Sequence, residues 1–212
     1  LRAMANHELQ TPIERASRLH QQNRPREALE IYEQLVAENS DNALLLRLMG
    51  TAYRQMGNHS KASECLAVSL KINPSDPEAH HEMGLLHADL DELDRAAAAF
   101  REAIGLQPDC ADFHYNLGNA LYAFGDREAA ELAYCDALER DAGLIRARFN
   151  LGQVAQDRSD YSGAVEAYTA VLEKEPEFDD ARINLGLALS KLGQAKEAED
   201  CFQIILSKQP GH

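Results

Sequence analysis

The chain has 212 residues, of which 45% are hydrophobic and 26% are charged, a composition that is ordinary for a soluble globular protein. Its net charge of −14 comes from 21 basic and 35 acidic residues, so it lacks the positive surface that nucleic acids and anionic membranes attract. No apolar run reaches the roughly 18 residues that a membrane-spanning helix needs.

Apolar residues recur along the chain with the period of a helix rather than that of a strand. Helix starts are indicated by Thr11–Pro12, Asp76–Pro77 and Asp126, where an oxygen acceptor can cap the first turn, and by Pro25, which suits a first turn. Residues 1–3, which precede Met4, are treated as a candidate cloning remnant. In chain order, we predict helices at 12–22, 25–38, 43–56, 60–72, 77–90, 93–106, 111–124, 127–140, 145–158, 161–174, 179–192 and 195–208.

These predicted helices follow an internal repeat of 34 residues. A glycine marks one position of five repeats, at Gly50, Gly84, Gly118, Gly152 and Gly186. An Ala stands twelve residues after each of these glycines, at Ala62, Ala96, Ala130, Ala164 and Ala198, and Ala28 stands twelve residues after Ala16, which replaces the glycine of the first repeat. Four residues further on stands a large apolar residue, at Tyr32, Leu66, Phe100, Tyr134, Tyr168 and Phe202. We expect the small residues to let two helices approach closely and the large residue to fill the space beside them.

This pattern resembles the tetratricopeptide repeat family, in six tandem copies after an N-terminal lead at residues 1–8. Asp91 and Ser159 depart from it, because they stand where a glycine usually ends the first helix. The resemblance implies an all-α fold, a right-handed superhelical α-solenoid of helix-turn-helix repeats, with the first helix of each repeat lining a concave groove. We predict one domain, residues 9–212, with repeats at 9–42, 43–76, 77–110, 111–144, 145–178 and 179–212.

The resemblance also implies which residues face the groove. Asn116, Asn150 and Asn184 recur at one repeat position, and an Asn amide offers both donors and an acceptor to a peptide backbone. We therefore predict an extended peptide or a protein segment as the ligand, although these amides could instead satisfy neighbouring repeats or water. The other predicted groove residues are Asn119, Tyr115, Tyr122, Phe149, Gln153, Arg146 and Glu82.

A variant of the family grips the C-terminal carboxylate of chaperones with Lys, Asn and Arg side chains. The best-matching window here keeps Asn119 and Asn150 but has Asp180 at a basic position, so we do not expect this ligand. Glu78, Glu82, Asp89 and Asp112 form an acidic flank, which favours a neutral or partly basic peptide.

The sequence predicts neither catalysis nor a bound cofactor. His80, His81, Glu82, His87 and His114 cluster in the middle of the chain, but their spacing matches no metal motif and such histidines more often pack or are solvated. No phosphate-binding loop or nucleophile motif occurs. The cysteines, at positions 65, 110, 135 and 201, are too far apart for a CxxC motif, and we expect reduced thiols in a cytoplasmic protein.

The sequence leaves two functions open. One is a non-catalytic scaffold that binds a protein partner, and the other is the substrate-selecting segment of a larger enzyme such as a protein glycosyl-, methyl- or sulfotransferase. The chain stops at His212, where another repeat or a cap would begin. Apolar residues of the last helix therefore predict either a longer protein or self-association through that helix.

Overall fold

The computed structural model describes the backbone of residues 2–208 and the side chains of residues 12–208. Within this part of the chain the secondary structure is entirely α-helical, which confirms the predicted all-α class. The twelve helices are α1 Arg2–Gln21, α2 Pro25–Glu38, α3 Ala43–Gln55, α4 His59–Ile72, α5 Pro77–Asp89, α6 Leu93–Leu106, α7 Ala111–Phe124, α8 Arg127–Arg140, α9 Ile145–Asp157, α10 Tyr161–Lys174, α11 Asp179–Lys191 and α12 Ala195–Lys208.

The predicted helix ends agree with the structure to within one residue from α2 onward. Asp76 caps α5 by accepting from the backbone N–H of Glu78 at 3.1 Å, and Asp126 caps α8 in the same way. Pro25 is the first residue of α2, as predicted. The predicted start at Thr11–Pro12 is wrong: α1 begins at Arg2 and Pro12 lies inside it.

The chain folds as two compact units. Unit 1 comprises residues 1–108 with α1–α6, and unit 2 comprises residues 109–212 with α7–α12. In each unit a helix packs against the next one along the chain, first within a helix pair and then between pairs. The helices thus fit about six helix-turn-helix repeats, whose boundaries stay a prediction.

Close contact between paired helices depends on the recurring glycine. An ideal Cβ at Gly118 would lie 2.5 Å from Cε1 of Tyr134, and one at Gly152 would lie 2.6 Å from Cε1 of Tyr168. Both distances are far below van der Waals contact, so the aromatic ring occupies the space that a side chain would need. The recurring alanines are buried as well, and the predicted packing of small against large residues is therefore confirmed.

One residue in each turn between paired helices has a positive φ, in the left-handed region of backbone conformation. Glycine occupies this position at Gly57, Gly125 and Gly193, where φ is 72°, 98° and 77°. Asp91 and Ser159 adopt nearly the same conformation with φ of 60° and 62°, although a Cβ makes it unfavourable. The fold therefore imposes the turn even where the sequence lacks its preferred residue.

The last described helix leaves part of its apolar surface uncovered. Leu206 is 59% exposed and Ile204 is 42% exposed, whereas Phe202 packs against Gly186. The predicted end of the last repeat, at residue 212, lies outside the described residues. Self-association through α12 stays a prediction.

Candidate functional site

Nine of the ten predicted groove residues lie on α7, α9 and α11 of unit 2. Arg146 is exposed, and the other eight side chains are partly buried, so each has one side toward the helices and another toward solvent. The tenth residue, Glu82, lies on α5 of unit 1. The unit 2 residues are Tyr115, Asn116, Asn119, Tyr122, Arg146, Phe149, Asn150, Gln153 and Asn184.

Three of the polar side chains in unit 2 form an amide cluster, consisting of Asn119, Tyr134 and Asn150. The Asn150 Nδ2 group donates to Asn119 Oδ1 at 2.8 Å and to the Tyr134 hydroxyl oxygen at 3.3 Å. The Tyr134 hydroxyl in turn donates to Asn119 Oδ1 at 2.9 Å. Tyr134 is buried, and the loss of hydration raises its pKa well above the usual value. The cluster therefore satisfies a buried hydroxyl with two amides from successive repeats.

The amide cluster still has hydrogen-bonding groups to offer. Within the described part of the chain, Asn119 Nδ2 and Asn150 Oδ1 make no hydrogen bond, and neither atom is buried. Asn119 Nδ2 is a donor and Asn150 Oδ1 is an acceptor, so together they could pair with the C=O and the N–H of a peptide unit. The geometry shows a packing role for Asn150, whereas peptide recognition by these amides stays a prediction.

The next repeat of unit 2 has a similar arrangement around Tyr168. Its buried hydroxyl donates to Gln156 Oε1 at 3.4 Å. Burial raises the pKa of Tyr168, and the neighbouring Asn184 amide lowers it by a smaller amount. Asn184 thus acts on the pKa of a buried tyrosine, as Asn150 does at Tyr134.

Aromatic side chains flank these amides. The Phe149 ring stacks on Phe178 with centroids 4.9 Å apart and makes a tilted contact with Tyr168 at 5.6 Å. The Arg146 guanidinium lies 5.6 Å from the centroid of the Tyr115 ring, within the range of a cation–π interaction. These contacts restrict the rotamers of the side chains before any ligand binds, which reduces the entropic cost of binding.

Tyr122 belongs to a separate polar network that sequence reasoning missed. Its hydroxyl donates to Asp157 Oδ2 at 2.8 Å, and the Arg127 Nε group donates to the same oxygen at 3.2 Å. Arg127 also lies over the Tyr122 ring at 5.1 Å. Burial is the main cause that raises the pKa of Tyr122, and the Asp157 carboxylate adds to it. Tyr122 is thus held in place by its own repeat and the next one.

The acidic flank predicted for unit 1 is partly neutralised. Arg54 donates to Glu82 at 3.2 Å and to Asp89 at 3.0 Å, and Arg47 donates to Asp76 at 3.0 Å. The Arg54 and Glu82 side chains are mostly buried. The sequence contained a signal for this pairing, because Arg54 precedes Glu82 and Asp89 by about one repeat length.

Unit 1 also contains a polar cleft, which the sequence did not predict. It has a volume of about 360 Å³, and its walls include Ser17 and His20 of α1, Tyr32 of α2, Leu48 and Thr51 of α3, and Glu82 of α5. Tyr32 is fully buried. Its hydroxyl oxygen and His20 Nε2 are buried atoms without a hydrogen-bond partner among the described residues.

The histidines around residue 80 have separate partners. His80 Nε2 lies 2.9 Å from the Pro74 carbonyl oxygen, His87 Nδ1 lies 2.7 Å from Glu92 Oε2, and His81 packs against Phe100. In unit 2, His114 is buried and its Nδ1 lies 3.8 Å from Asp136 Oδ2. Among the described residues, no three metal-ligating side chains come together.

None of the helices in the described part of the chain is both long and apolar enough to cross a membrane.

Comparison with known protein families identifies the class of this protein. Two sequence models described as tetratricopeptide repeat match residues 19–86, and residues 81–144 with 149–212. The paired helices and these matches define an α-solenoid of helix-turn-helix repeats. The chain belongs to the tetratricopeptide repeat family, as its sequence pattern predicted.

Solved structures of the same fold extend the comparison. The MamA protein is 24% identical with a TM-score of 0.74, over 79% of this chain and 92% of that chain. YrrB, described as a tetratricopeptide repeat protein with an unusual peptide-binding site, is 20% identical with a TM-score of 0.73, over 85% and 93%. PilW, described as a widely conserved type IV pilus biogenesis factor, is 17% identical with a TM-score of 0.85, over 96% and 94%. No curated protein matches the sequence.

Proposed function

We propose that this protein is a non-catalytic scaffold that binds a peptide or protein segment along the face formed by the first helices of its repeats. The amide cluster of unit 2 carries the proposal, because it presents Asn119 Nδ2 as a donor and Asn150 Oδ1 as an acceptor. A peptide backbone offers the complementary pair at every residue. The family is consistent with a protein-interaction scaffold, and YrrB is a relative in fold with a peptide-binding site.

The chemistry around the amide cluster favours an extended and largely neutral segment. Phe149 and Tyr115 supply aromatic surface that is already held by ring contacts. On α11, the helix that carries Asn184, Ile183 is 36% exposed and Leu187 is 45% exposed. Apolar side chains of a bound segment would bury this surface while its backbone pairs with the amides.

The proposal is tested with short random peptides selected by display on the wild-type protein. Each selected peptide is then measured by fluorescence anisotropy against the wild type and against Asn119→Asp. The aspartate keeps the oxygen that accepts from Asn150 and Tyr134 but replaces the outward donor with a carboxylate oxygen. Loss of one hydrogen bond to the ligand should weaken binding about fivefold or more.

Asn58→Asp is the matched control, because it makes the same chemical change at the N-cap of α4, where Asp is as good a cap as Asn. This variant should bind as the wild type does. Equal affinity of Asn119→Asp and wild type for every selected peptide, or the failure of all selected peptides to bind saturably, would rule the proposal out.

We also propose a cytoplasmic location, because all four cysteines are free thiols and an oxidising compartment favours disulfides. Fractionation of cells that express the full-length gene product, with detection by antibody, tests the location. Recovery in the periplasm or at a membrane would contradict it.

A further inference from the structure

The hydroxyl of Tyr32 in unit 1 can be compared with that of Tyr134, the residue at the same repeat position in unit 2. Tyr32 stands three repeat lengths before Tyr134, and Ser17 and Leu48 stand three repeat lengths before Asn119 and Asn150. In unit 2 the hydroxyl meets Asn119 at 2.9 Å and Asn150 at 3.3 Å. In unit 1 both amides are replaced, and Leu48 has no group that can form a hydrogen bond.

This replacement leaves the buried hydroxyl of Tyr32, a residue that lines the polar cleft, with Ser17 nearby but without a hydrogen bond of normal geometry among the described residues. A buried polar group without a partner destabilises a protein by roughly 1–3 kcal/mol, so such groups require an explanation. Burial raises the pKa of Tyr32, and the Ser17 hydroxyl offsets only part of that effect. His20 also lines the cleft, and its Nε2 atom likewise has no hydrogen-bond partner among the described residues.

The charges around the polar cleft are already paired within the protein. Arg47 and Glu82 both line it, but Arg47 is paired with Asp76 and Glu82 with Arg54. A charged ligand would have to compete with these partners and lose its own hydration. A neutral ligand group that can donate and accept hydrogen bonds therefore fits the cleft best.

We infer that the polar cleft of unit 1 binds the side-chain carboxamide of an Asn or Gln residue in a peptide partner. The carboxamide enters beside Leu48 and supplies to the Tyr32 hydroxyl the hydrogen bond that Asn150 supplies to Tyr134, and it also pairs with His20 Nε2. This inference rests on the proposed function and adds a side-chain specificity to it. About 360 Å³ of space is several times the volume of one water molecule, which occupies roughly 30 Å³ in the liquid.

The probe for a direct test is Nα-acetyl-L-glutamine N′-methylamide, titrated into isotopically labelled full-length protein and followed by NMR. We expect saturable shifts at residues around the polar cleft, and none there with the matching leucine compound. Tyr32→Phe removes only the hydroxyl and should weaken binding in the cleft about fivefold. Tyr53→Phe, which removes the hydroxyl of another buried tyrosine that already donates to Glu33 at 2.7 Å, should leave binding in the cleft unchanged.

A second pair of variants keeps the test independent of the tyrosine. Leu48→Asn restores the residue type that fills the equivalent position in unit 2, and should block the probe by pairing with Tyr32 internally. Leu48→Ala shortens the same side chain without adding an amide, and should leave the probe bound.

Three results would overturn the inference: no saturable shifts around the cleft, equal shifts with the leucine compound, or unchanged binding by both Tyr32→Phe and Leu48→Asn. Water alone would then satisfy Tyr32. If display-selected peptides still lose affinity for Asn119→Asp in that case, the proposed function stands and only this inference fails.

Discussion

At the scale of single residues, Asn150 differs from Asn119 although both belong to the amide cluster. Asn150 is a donor to two partners inside the protein, whereas Asn119 contributes only an acceptor to them. The same change from Asn to Asp should therefore affect stability more at Asn150 than at Asn119. This asymmetry separates the packing role of the amides from their role toward a ligand.

We predict that Asn150→Asp lowers the free energy of unfolding by about 1–3 kcal/mol, because it removes the hydrogen bonds donated to Asn119 and Tyr134 and places a carboxylate oxygen against Asn119 Oδ1. Asn119→Asp should change stability by less, since both internal acceptor contacts remain. Urea unfolding followed by circular dichroism measures both variants. Equal destabilisation by the two substitutions would contradict the assigned directions of these hydrogen bonds.

The residues with positive φ provide a second prediction at this scale. Ser159→Gly should stabilise the protein by roughly 1 kcal/mol, because glycine relieves the left-handed strain at φ of 62°. Gly57→Ala is the converse control: φ there is 72° and no atom lies near the added Cβ, so any loss reports backbone strain alone. Thermal melts of the two variants should shift in opposite directions, and a lower melting temperature for Ser159→Gly would refute the explanation.

At the scale of helices, the pairing of glycine with a large side chain controls how closely two helices approach. Gly118→Ala should destabilise the protein by about 1–3 kcal/mol, because the added methyl group would lie 2.5 Å from the Tyr134 ring and overpack a buried site. Gly105→Ala lies on α6, where nothing is close to the added Cβ. That control should stabilise its helix by about 0.5–1 kcal/mol. Chemical denaturation measures the free energy of unfolding of both variants. Similar changes for Gly118→Ala and Gly105→Ala would exclude a steric cause.

Helix positions were predictable because the signals that determine them are local. The caps at Asp76 and Asp126 and the spacing of Gly118, Ala130 and Tyr134 act within one repeat. The start of α1 was not predictable from Pro12, because a proline is tolerated at a first turn but does not require one. The extent of α1 therefore differs from the prediction.

The candidate site was predictable only in part, because its hydrogen bonds join different repeats. The sequence indicated which side chains share the face, including Asn119 and Asn150, but not that Asn150 donates across the repeat boundary. The cleft beside Tyr32 was missed because no motif marks it, and the only sequence signal is that Leu48 replaces the amide found at Asn150. A position-by-position comparison of the repeats would have shown that difference.

At the scale of the whole molecule, the net charge of −14 opposes close approach of two copies at low ionic strength. The exposed side chains of Ile204 and Leu206 on α12 favour association. We predict a rise in mean mass with concentration, stronger at high salt, because salt screens the repulsion.

Light scattering across a concentration series measures this association. Leu206→Lys should abolish it, whereas Leu132→Lys, a matched change at another exposed leucine, should not. A constant monomer mass at every salt concentration would exclude self-association through α12.

The bonds that Asn150 makes to Asn119 and Tyr134 also affect how the molecule unfolds. In a linear array, each interface between neighbouring repeats decides whether they open together or one at a time. In unit 2 the buried Tyr134 hydroxyl forms hydrogen bonds with residues of two repeats, whereas the Tyr32 hydroxyl of unit 1 forms none among the described residues. Unfolding should therefore be less cooperative at the start of the chain. Amide hydrogens of α2 should consequently exchange with solvent before those of α8. Local unfolding would then begin in the unit that contains the polar cleft.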